Sequence, residues 1–331
     1  MTEFRAFRVN RQDDQVKGTV DLLHLDEISV GDVTIKAEYS SVNYKDALAA
    51  TGKGKIIRNF PLIGGIDSAG IVVESNDPGF SEGDAVLVTG YELGTGHDGG
   101  YSEYVRVPAN WVVPIPSSLS TYEVMALGTA GFTTALCIKR LEENGLSPDK
   151  GPFVVTGATG GVGSFAVNIL SNLGYEVVAV TGKKDNHDKL KTLGASRILD
   201  RNEIDPDGPP LQKGEWGGAI DNVGGEVLAW LTRTMKPWSS ITSVGLAGGS
   251  QLNTTVMPFI LRGVSLIGIS SSNCIESWRK PLWERLGTDL RPPNLEEIIS
   301  AIVGMDDLPS VFDDMLAGKT AGRILVDINK K

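Results

Sequence analysis

The chain has 331 residues, 41% apolar and 22% charged, a balance that fits a folded protein of about two domains and excludes disordered and fibrous classes. Its 31 basic and 41 acidic residues leave a net charge of −10, which disfavours nucleic acid and anionic membranes as partners. Cys137 and Cys274 lie far apart and the histidines number three, so neither a disulfide framework nor a thiolate zinc site is expected. With no apolar leader and no run of about 18 apolar residues, the expectation is a cytoplasmic protein without a membrane span.

Residues 1–125 carry short β-rich runs, Val33–Tyr39, Gly70–Glu74, Ala85–Thr89 and Tyr101–Val107, punctuated by Gly83-Asp84 and Asp98-Gly99-Gly100. They predict a mostly antiparallel β domain. From Ala126 apolar runs alternate with helical segments. Phe153–Thr156, Val177–Val180, Ala219–Asn222, Ile241–Val244 and Ser265–Ile269 read as strands, and Ser164–Leu173, Asp188–Leu193 and Val227–Met235 as helices. This alternation predicts an α/β fold with a parallel sheet covered by helices over residues 126–274. Beyond residue 275 the pattern predicts a helix at Trp278–Leu286, a link at Arg291-Pro292-Pro293, a helix over Leu295–Val303 and a last strand at Gly322–Ile328.

The sharpest motif runs from Val154 through Thr156-Gly157-Ala158-Thr159-Gly160-Gly161-Val162-Gly163, an apolar strand entering a glycine-rich turn and then a helix. Gly157 permits the turn, Gly160 and Gly161 let backbone N–H groups approach a pyrophosphate at the helix N-terminus, and Gly163 lets helix pack on strand. Where an NAD-type site places a carboxylate after the second strand, this chain has Thr181-Gly182-Lys183-Lys184, with Arg201 after the next strand. A hydroxyl, bare backbone and cations suit the 2′-phosphate of NADPH, although two lysines also suit a solvated face.

With these motifs in place the sequence resembles the medium-chain dehydrogenase/reductase superfamily, in its zinc-independent quinone oxidoreductase branch. The landmarks are Ser41-Val42-Asn43-Tyr44-Lys45-Asp46, Pro61–Gly70, Gly83-Asp84-Ala85-Val86, Gly99–Tyr104 and Gly128–Thr133. Thr51–Phe60, Val256–Arg262 and Gly322–Val326 are similar to the acryloyl-CoA reductase subgroup. The resemblance implies a GroES-like β-barrel catalytic domain, residues 1–125 completed by 275–331, with a Rossmann doubly wound domain at 126–274 and function in the cleft. It implies that Tyr44 lies near the nicotinamide and that Thr159, Gly160, Gly161 and Val162 hold the pyrophosphate. Thr181, Gly182, Lys183 and Arg201 would hold the 2′-phosphate, and Leu246, Ile260, Ser271 and Arg323 would finish the NADPH pocket. Composition alone makes Leu246 and Ile260 core residues and Arg323 a surface cation. The Cys, Gly-His-Glu and four-Cys zinc motifs of the related alcohol dehydrogenases are missing; Gly65-Ile66-Asp67 stands at the second motif, so no metal is expected.

Reduction of an activated C=C bond is one chemistry that a hydride donor can perform without a metal. The expectation is NADPH-dependent reduction of acryloyl-CoA to propanoyl-CoA by hydride transfer to Cβ, with Tyr44 or water protonating Cα and Asn43 and Asp46 positioning Tyr44 or substrate. Asp46 is equally explained as a structural hydrogen-bond acceptor at a turn. Lys45, Lys53, Lys55 and Arg58 form a basic cluster in an acidic chain, either a dock for coenzyme A phosphates or a solvated loop. Reduction of quinones or free enones is the second enzyme reading, and an NADPH-binding sensor without turnover the alternative of another class. The resemblance also implies a homodimer, with the edge strand Ser265–Ile269 available to pair.

Overall fold

The computed structural model describes residues 3–13 and 15–330. Its chain opens with a hairpin of β1 (Phe4–Gln12) and β2 (Gln15–Leu23), Phe4 opposite Leu23 and Gln12 opposite Gln15. Sequence reading leaves this hairpin unassigned, because arginines recur along the strand; Phe7 and Val9 are nevertheless buried while Arg11 faces out. There follow β3 (Val33–Ser41), α1 (Tyr44–Thr51), β4 (Leu62–Ile63), β5 (Asp67–Ser75), β6 (Ala85–Thr89), β7 (Tyr104–Val107), β8 (Val113–Pro114) and α2 (Thr121–Glu143). Next come β9 (Phe153–Thr156), α3 (Gly161–Asn172), β10 (Val177–Thr181), α4 (His187–Thr192), β11 (Arg197–Asp200), β12 (Trp216–Asp221), α5 (Gly225–Thr234), β13 (Met235–Ser243), α6 (Met257–Arg262) and β14 (Ser265–Gly268). The chain ends with α7 (Glu276–Leu286), α8 (Leu295–Ile298), β15 (Ile299–Val303), α9 (Leu308–Leu316) and β16 (Arg323–Asp327).

Two units result. The first comprises Met1–Ala130, Ser271–Thr288 and Ile299–Lys331. It holds a three-stranded sheet, β2-β1-β4, and a seven-stranded one in the order β15-β16-β3-β5-β6-β8 with β7 also on β3. Within the larger sheet only β15 and β16 run parallel. Phe7, Ile35, Val72, Tyr101, Phe312 and Val326 share its principal core. The second unit comprises Gly131–Ser270 and Asp289–Ile298, so residues 126–130 and 271–274 belong to the first unit and 289–298 to the second, unlike the sequence boundaries. Its six-stranded sheet is parallel throughout, in the order β11-β10-β9-β12-β13-β14. The order reverses beside β9, the switch point at which open α/β sheets bind ligands outside the strands' carboxyl ends.

One helix is corrected. Leu295–Val303 is not a single helix: four residues are helical, and Ile299–Val303 is a strand paired with β16. Its Ile and Val side chains favour a pleated, half-buried surface over a helix once β16 offers a ladder. A second departure from regularity is Gly128 in α2, where φ +51° and ψ −155° interrupt the helix. Among the described residues no helix is long and apolar enough to cross a membrane.

Candidate active site

In the second unit, β9 delivers the glycine-rich turn to the switch point. Gly160 is the N-cap of α3 and supplies no side-chain cap, so the N–H groups that open this helix are free of the competitor a Ser or Asp would bring. At Gly163 a Cβ would lie 2.3 Å from the Gly157 carbonyl oxygen and 2.7 Å from Ala158 Cα; only glycine lets the first helical turn close over the strand. The turn is braced from β12. Asp221 accepts from the Thr156 hydroxyl at 2.6 Å and the Gly224 N–H at 2.8 Å, while Asn222 donates through its backbone to Thr156 Oγ1 at 3.0 Å and through its amide to the Thr156 carbonyl at 2.8 Å. Burial raises the Asp221 carboxyl above its ordinary range, against the pull of these donors. Sequence reading missed Asp221 and Asn222; the signal available was a small acidic–amide pair closing an apolar strand.

The segment that ends β10, Thr181-Gly182-Lys183-Lys184, carries no carboxylate, and Asp200, opposite Thr181 on β11, accepts from the Asn202 N–H at 2.9 Å. Thr181 is buried and its hydroxyl accepts from the Lys183 N–H at 3.1 Å. Arg201 is exposed and lays its guanidinium over Gly182, where an added Cβ would meet Arg201 Nε at 3.2 Å and Cζ at 3.3 Å. Lys183 is half-buried, which lowers its ammonium pKa. Thr181, Gly182, Lys183 and Arg201 are thus brought together into a small cationic shelf. These residues, with Thr159, Gly160, Gly161 and Val162 at the turn, fit a dinucleotide carrying a 2′-phosphate. Leu246 is 62% exposed in the loop after β13, and Ile260 is 72% exposed on α6; neither is a core residue.

The first unit holds a buried polar cluster under α1. Asn43 precedes the helix, Tyr44 opens it and Asp46 completes its first turn. Asn43 and Asp46 are buried, whereas Tyr44 is 45% exposed. The Asp46 carboxylate accepts from the Asn43 N–H at 2.8 Å and the Ile66 N–H at 3.0 Å, which ties the start of α1 to the Gly65-Ile66 turn. Burial, then the negative field of Asp67, pushes its pKa up to about 7, opposed by these N–H donors and the Tyr101 hydroxyl. Asn43 donates its amide to Asp67 at 2.8 Å, and its amide oxygen accepts from Arg323 at 3.2 Å. Of the three candidate catalytic side chains, Tyr44 is therefore the one that presents itself outward, on a base made by the other two.

Asp67 and Arg323 complete the cluster at the interruption of α2. Asp67 accepts from the Ser41 hydroxyl at 2.6 Å, the Thr129 N–H at 2.9 Å and the Thr129 hydroxyl at 2.5 Å. Arg323 donates to the Ala126 carbonyl at 3.0 Å and the Val42 carbonyl at 3.1 Å, with Asp67 4.0 Å away. An anion thus meets the N–H that restarts the helix and a cation meets a carbonyl at the end of the preceding segment, each on the side the helix dipole favours. A Cβ at Gly128 would fall 2.6 Å from Ser41 Oγ and 2.7 Å from Arg323 Nη2. Arg323 is 3% exposed, an interior member of this cluster and not a surface cation.

Lys53, Lys55 and Arg58 are exposed on the loop after α1. Lys45 differs: it is half-buried, and its ammonium donates to Ser272 Oγ at 2.8 Å. Ser271, beside it, gives its carbonyl to Arg279 at 3.0 Å. The residues do not fit a zinc ion. Asp67, at the position where related enzymes carry zinc-ligand motifs, is committed to Ser41, Asn43 and Thr129, and among the described residues no group of three or more His, Cys, Asp or Glu side chains converges.

Two family models match: the alcohol dehydrogenase GroES-like domain over residues 29–117 and the zinc-binding dehydrogenase model over residues 161–288. The chain is 47% identical over 328 residues to the Bacillus subtilis protein YhfP, provisionally named a quinone oxidoreductase, covering 99% of each chain. It is 45% identical over 329 residues to the acrylyl-CoA reductase AcuI of Ruegeria pomeroyi, covering 98% of this chain and 99% of the relative. Among solved structures, the yhdH oxidoreductase of Salmonella enterica in complex with NADP superimposes with a TM-score of 0.96 at 46% identity, over 98% of this chain and all of that one. The Bacillus subtilis yhfP structure, with NAD bound, gives 0.97 at 47% identity over 99% of this chain and all of that one.

Proposed function

As a member of the quinone oxidoreductase-like branch of the medium-chain dehydrogenase/reductase superfamily, this chain is an oxidoreductase, and we propose that it is an NADPH-dependent reductase of an α,β-unsaturated coenzyme A thioester, acryloyl-CoA in the first instance. The observation that carries the reading is the first turn of α1, where buried Asn43 and Asp46 hold Tyr44 outward beside Lys45, followed by the exposed cations Lys53, Lys55 and Arg58. The acrylyl-CoA reductase relative, at 45% identity, supports the substrate class.

Thr159–Val162, Thr181–Lys183 and Arg201 would hold NADPH, which would supply the hydride, with Leu246 and Ile260 assigned to the remainder of its surroundings within the second unit. Saturating the double bond also consumes one proton at Cα. Tyr44 is the group assigned to deliver it, its phenol being exposed and its backbone fixed. Asp46 and Asn43 act as positioning residues, through the bonds that fix the start of α1. Lys45, Lys53, Lys55 and Arg58, a local cationic patch in a protein whose net charge of −10 otherwise repels anions, attract the phosphates of the coenzyme. We place the enzyme in the cytoplasm as a homodimer, β14 being the edge of the six-stranded sheet with one side free to pair.

Loss of the reduced nicotinamide absorbance tests the reading directly. Acryloyl-CoA is expected to drive NADPH oxidation faster than a small quinone, and the Lys53→Glu, Lys55→Glu double variant to raise KM for the thioester roughly 3- to 10-fold, a few tenths to one kcal/mol per exposed charge. Turnover confined to the quinone assigns the chain to quinone reduction, which the similarity to YhfP favours. NADPH binding without turnover on either acceptor overturns both the thioester and the quinone assignment.

A further inference from the structure

Arg279 is 2% exposed although it belongs to no motif singled out in the sequence. From α7 its guanidinium donates to the Thr89 carbonyl at 2.8 Å, the Ser271 carbonyl at 3.0 Å and the Ser272 carbonyl at 2.9 Å, and it lies 4.0 Å above the ring of Tyr91. One planar cation therefore joins two loops far apart in sequence, a task that matches its fork of donors and its stacking face. The loops are in contact besides: the Tyr91 N–H donates to the Ser272 carbonyl at 3.1 Å, and a Cβ on Gly90 would come within 2.9 Å of Ser272 Cα. Tyr91 holds φ at +51°, rare for a bulky residue, with its ring stacked 5.2 Å from Trp111 and its hydroxyl bonded to the Asn110 carbonyl at 3.0 Å. Such a conformation persists only where its surroundings over-determine it. What this assembly holds in place is Ser272, the acceptor of the Lys45 ammonium.

We infer that Arg279 is a positioning residue: by clamping the Ser271-Ser272 bend onto the Thr89–Tyr91 turn it fixes Ser272 Oγ, and through it the ammonium of Lys45 next to Tyr44, where the phosphate-bearing thioester is to be received. The inference rests on the proposed function only for what Lys45 contacts; the clamp itself is a property of the first unit. It gives Lys45 a role distinct from Lys53, Lys55 and Arg58. Those attract from a solvated loop, whereas Lys45 offers a pre-placed charge whose ordering is complete before the ligand arrives.

The test is the reactivity of Lys45 in the native full-length protein. Its acetylation by a water-soluble amine-acylating ester is followed by peptide mass spectrometry, with exposed Lys17 as internal reference. Arg279→Lys and Ser272→Ala are each expected to raise the relative labelling of Lys45 about 3- to 10-fold, and the double variant no further than the larger single effect. Tyr91→Leu, which removes the ring under the guanidinium but leaves the carbonyls, is expected to raise it less, and stands in if Arg279→Lys does not fold. With acryloyl-CoA, Arg279→Lys is expected to raise KM by a larger factor than it lowers kcat. Unchanged Lys45 labelling in a folded Arg279→Lys variant, or additive effects of Arg279→Lys and Ser272→Ala, overturns the clamp. Lys45→Met separates the two layers: an unaltered thioester KM in that variant removes the substrate reading, while the labelling still decides the positioning role.

Discussion

The turn after β9 and the cluster under α1 both hold polar groups in order for chemistry, and they do so by opposite means. The turn is local and made of backbone: seven residues, Gly157 to Gly163, with glycine at the N-cap and at the crossing of helix over strand. The cluster is non-local and made of side chains, drawing Asn43, Asp46, Asp67, Tyr101, Thr129 and Arg323 into one buried network. A site built from N–H groups tolerates many side chains but no added Cβ at its crossing. A site built from buried charges tolerates no missing partner, since each unpaired member carries a desolvation penalty.

The largest effect follows from the second half of that contrast. Asp67→Ala removes the acceptor of Ser41, Asn43 and Thr129 and leaves the Arg323 guanidinium buried without its carboxylate. A loss of about 3–5 kcal/mol is expected, read as a fall in the urea midpoint; a loss within experimental scatter would show that the cluster carries no stability. Gly163→Ala probes the other half. Its Cβ would fall 2.3 Å from a backbone oxygen, an overpacking expected to cost about 1–3 kcal/mol and to weaken NADPH binding by at least tenfold in a fluorescence titration. Unaltered binding would mean that the turn opens to admit a methyl group.

A smaller effect appears in the pH dependence. Asp46, pushed up to about 7 by burial and by Asp67 from an ordinary value of 3.8, keeps a proton in the folded protein that the unfolded chain gives up. Between about pH 4 and 7 the native state thus binds more protons than the unfolded state. Stability falls as pH rises through that window, by at most about 1.4 kcal/mol per pH unit for one proton, and levels off above the folded value. In Asp46→Asn this component is absent, so the stability of the wild type relative to the variant should fall from about pH 4 to 7 and then stay constant. A difference that does not vary with pH would place the native carboxyl at its ordinary value.

How much of this was legible in the sequence follows the same divide. Strand, turn and helix around Gly157–Gly163 stand in one unbroken stretch, Phe153–Asn172, about the span over which periodicity and glycine spacing carry information. The cationic shelf was legible because Thr181, Gly182 and Lys183 end a strand whose neighbour is predictable, which brings Arg201 alongside. Arg323 was reached only through the family resemblance, and its burial opposite Asp67 exists only once β16 has paired with β3. Arg279 was not legible at all, because its partners at Thr89 and Ser271 are carbonyl groups that every residue carries. Leu295–Val303 failed for a related reason: the residues permit either state, and the ladder offered by β16 decides.

The sharpest remaining cut through the comparison is Arg201, because it adds a side chain to a site otherwise made of backbone. Its guanidinium rests on Gly182 just after β10, in a segment, Thr181-Gly182-Lys183-Lys184, that offers no acid to ribose hydroxyls, while Asp200 opposite Thr181 accepts from the Asn202 N–H. If the shelf reads a 2′-phosphate, one charge-assisted contact at an exposed position is worth about 1.4 kcal/mol, so Arg201→Ala should weaken NADPH about tenfold. NADH, which lacks that phosphate, should bind the variant as it binds the wild type, and the NADPH loss should diminish as added salt screens the contact. Equal losses for the two nucleotides would show that Arg201 supports the loop and not the phosphate. Discrimination would then fall to Lys183, whose half-buried ammonium is the second cation of the shelf.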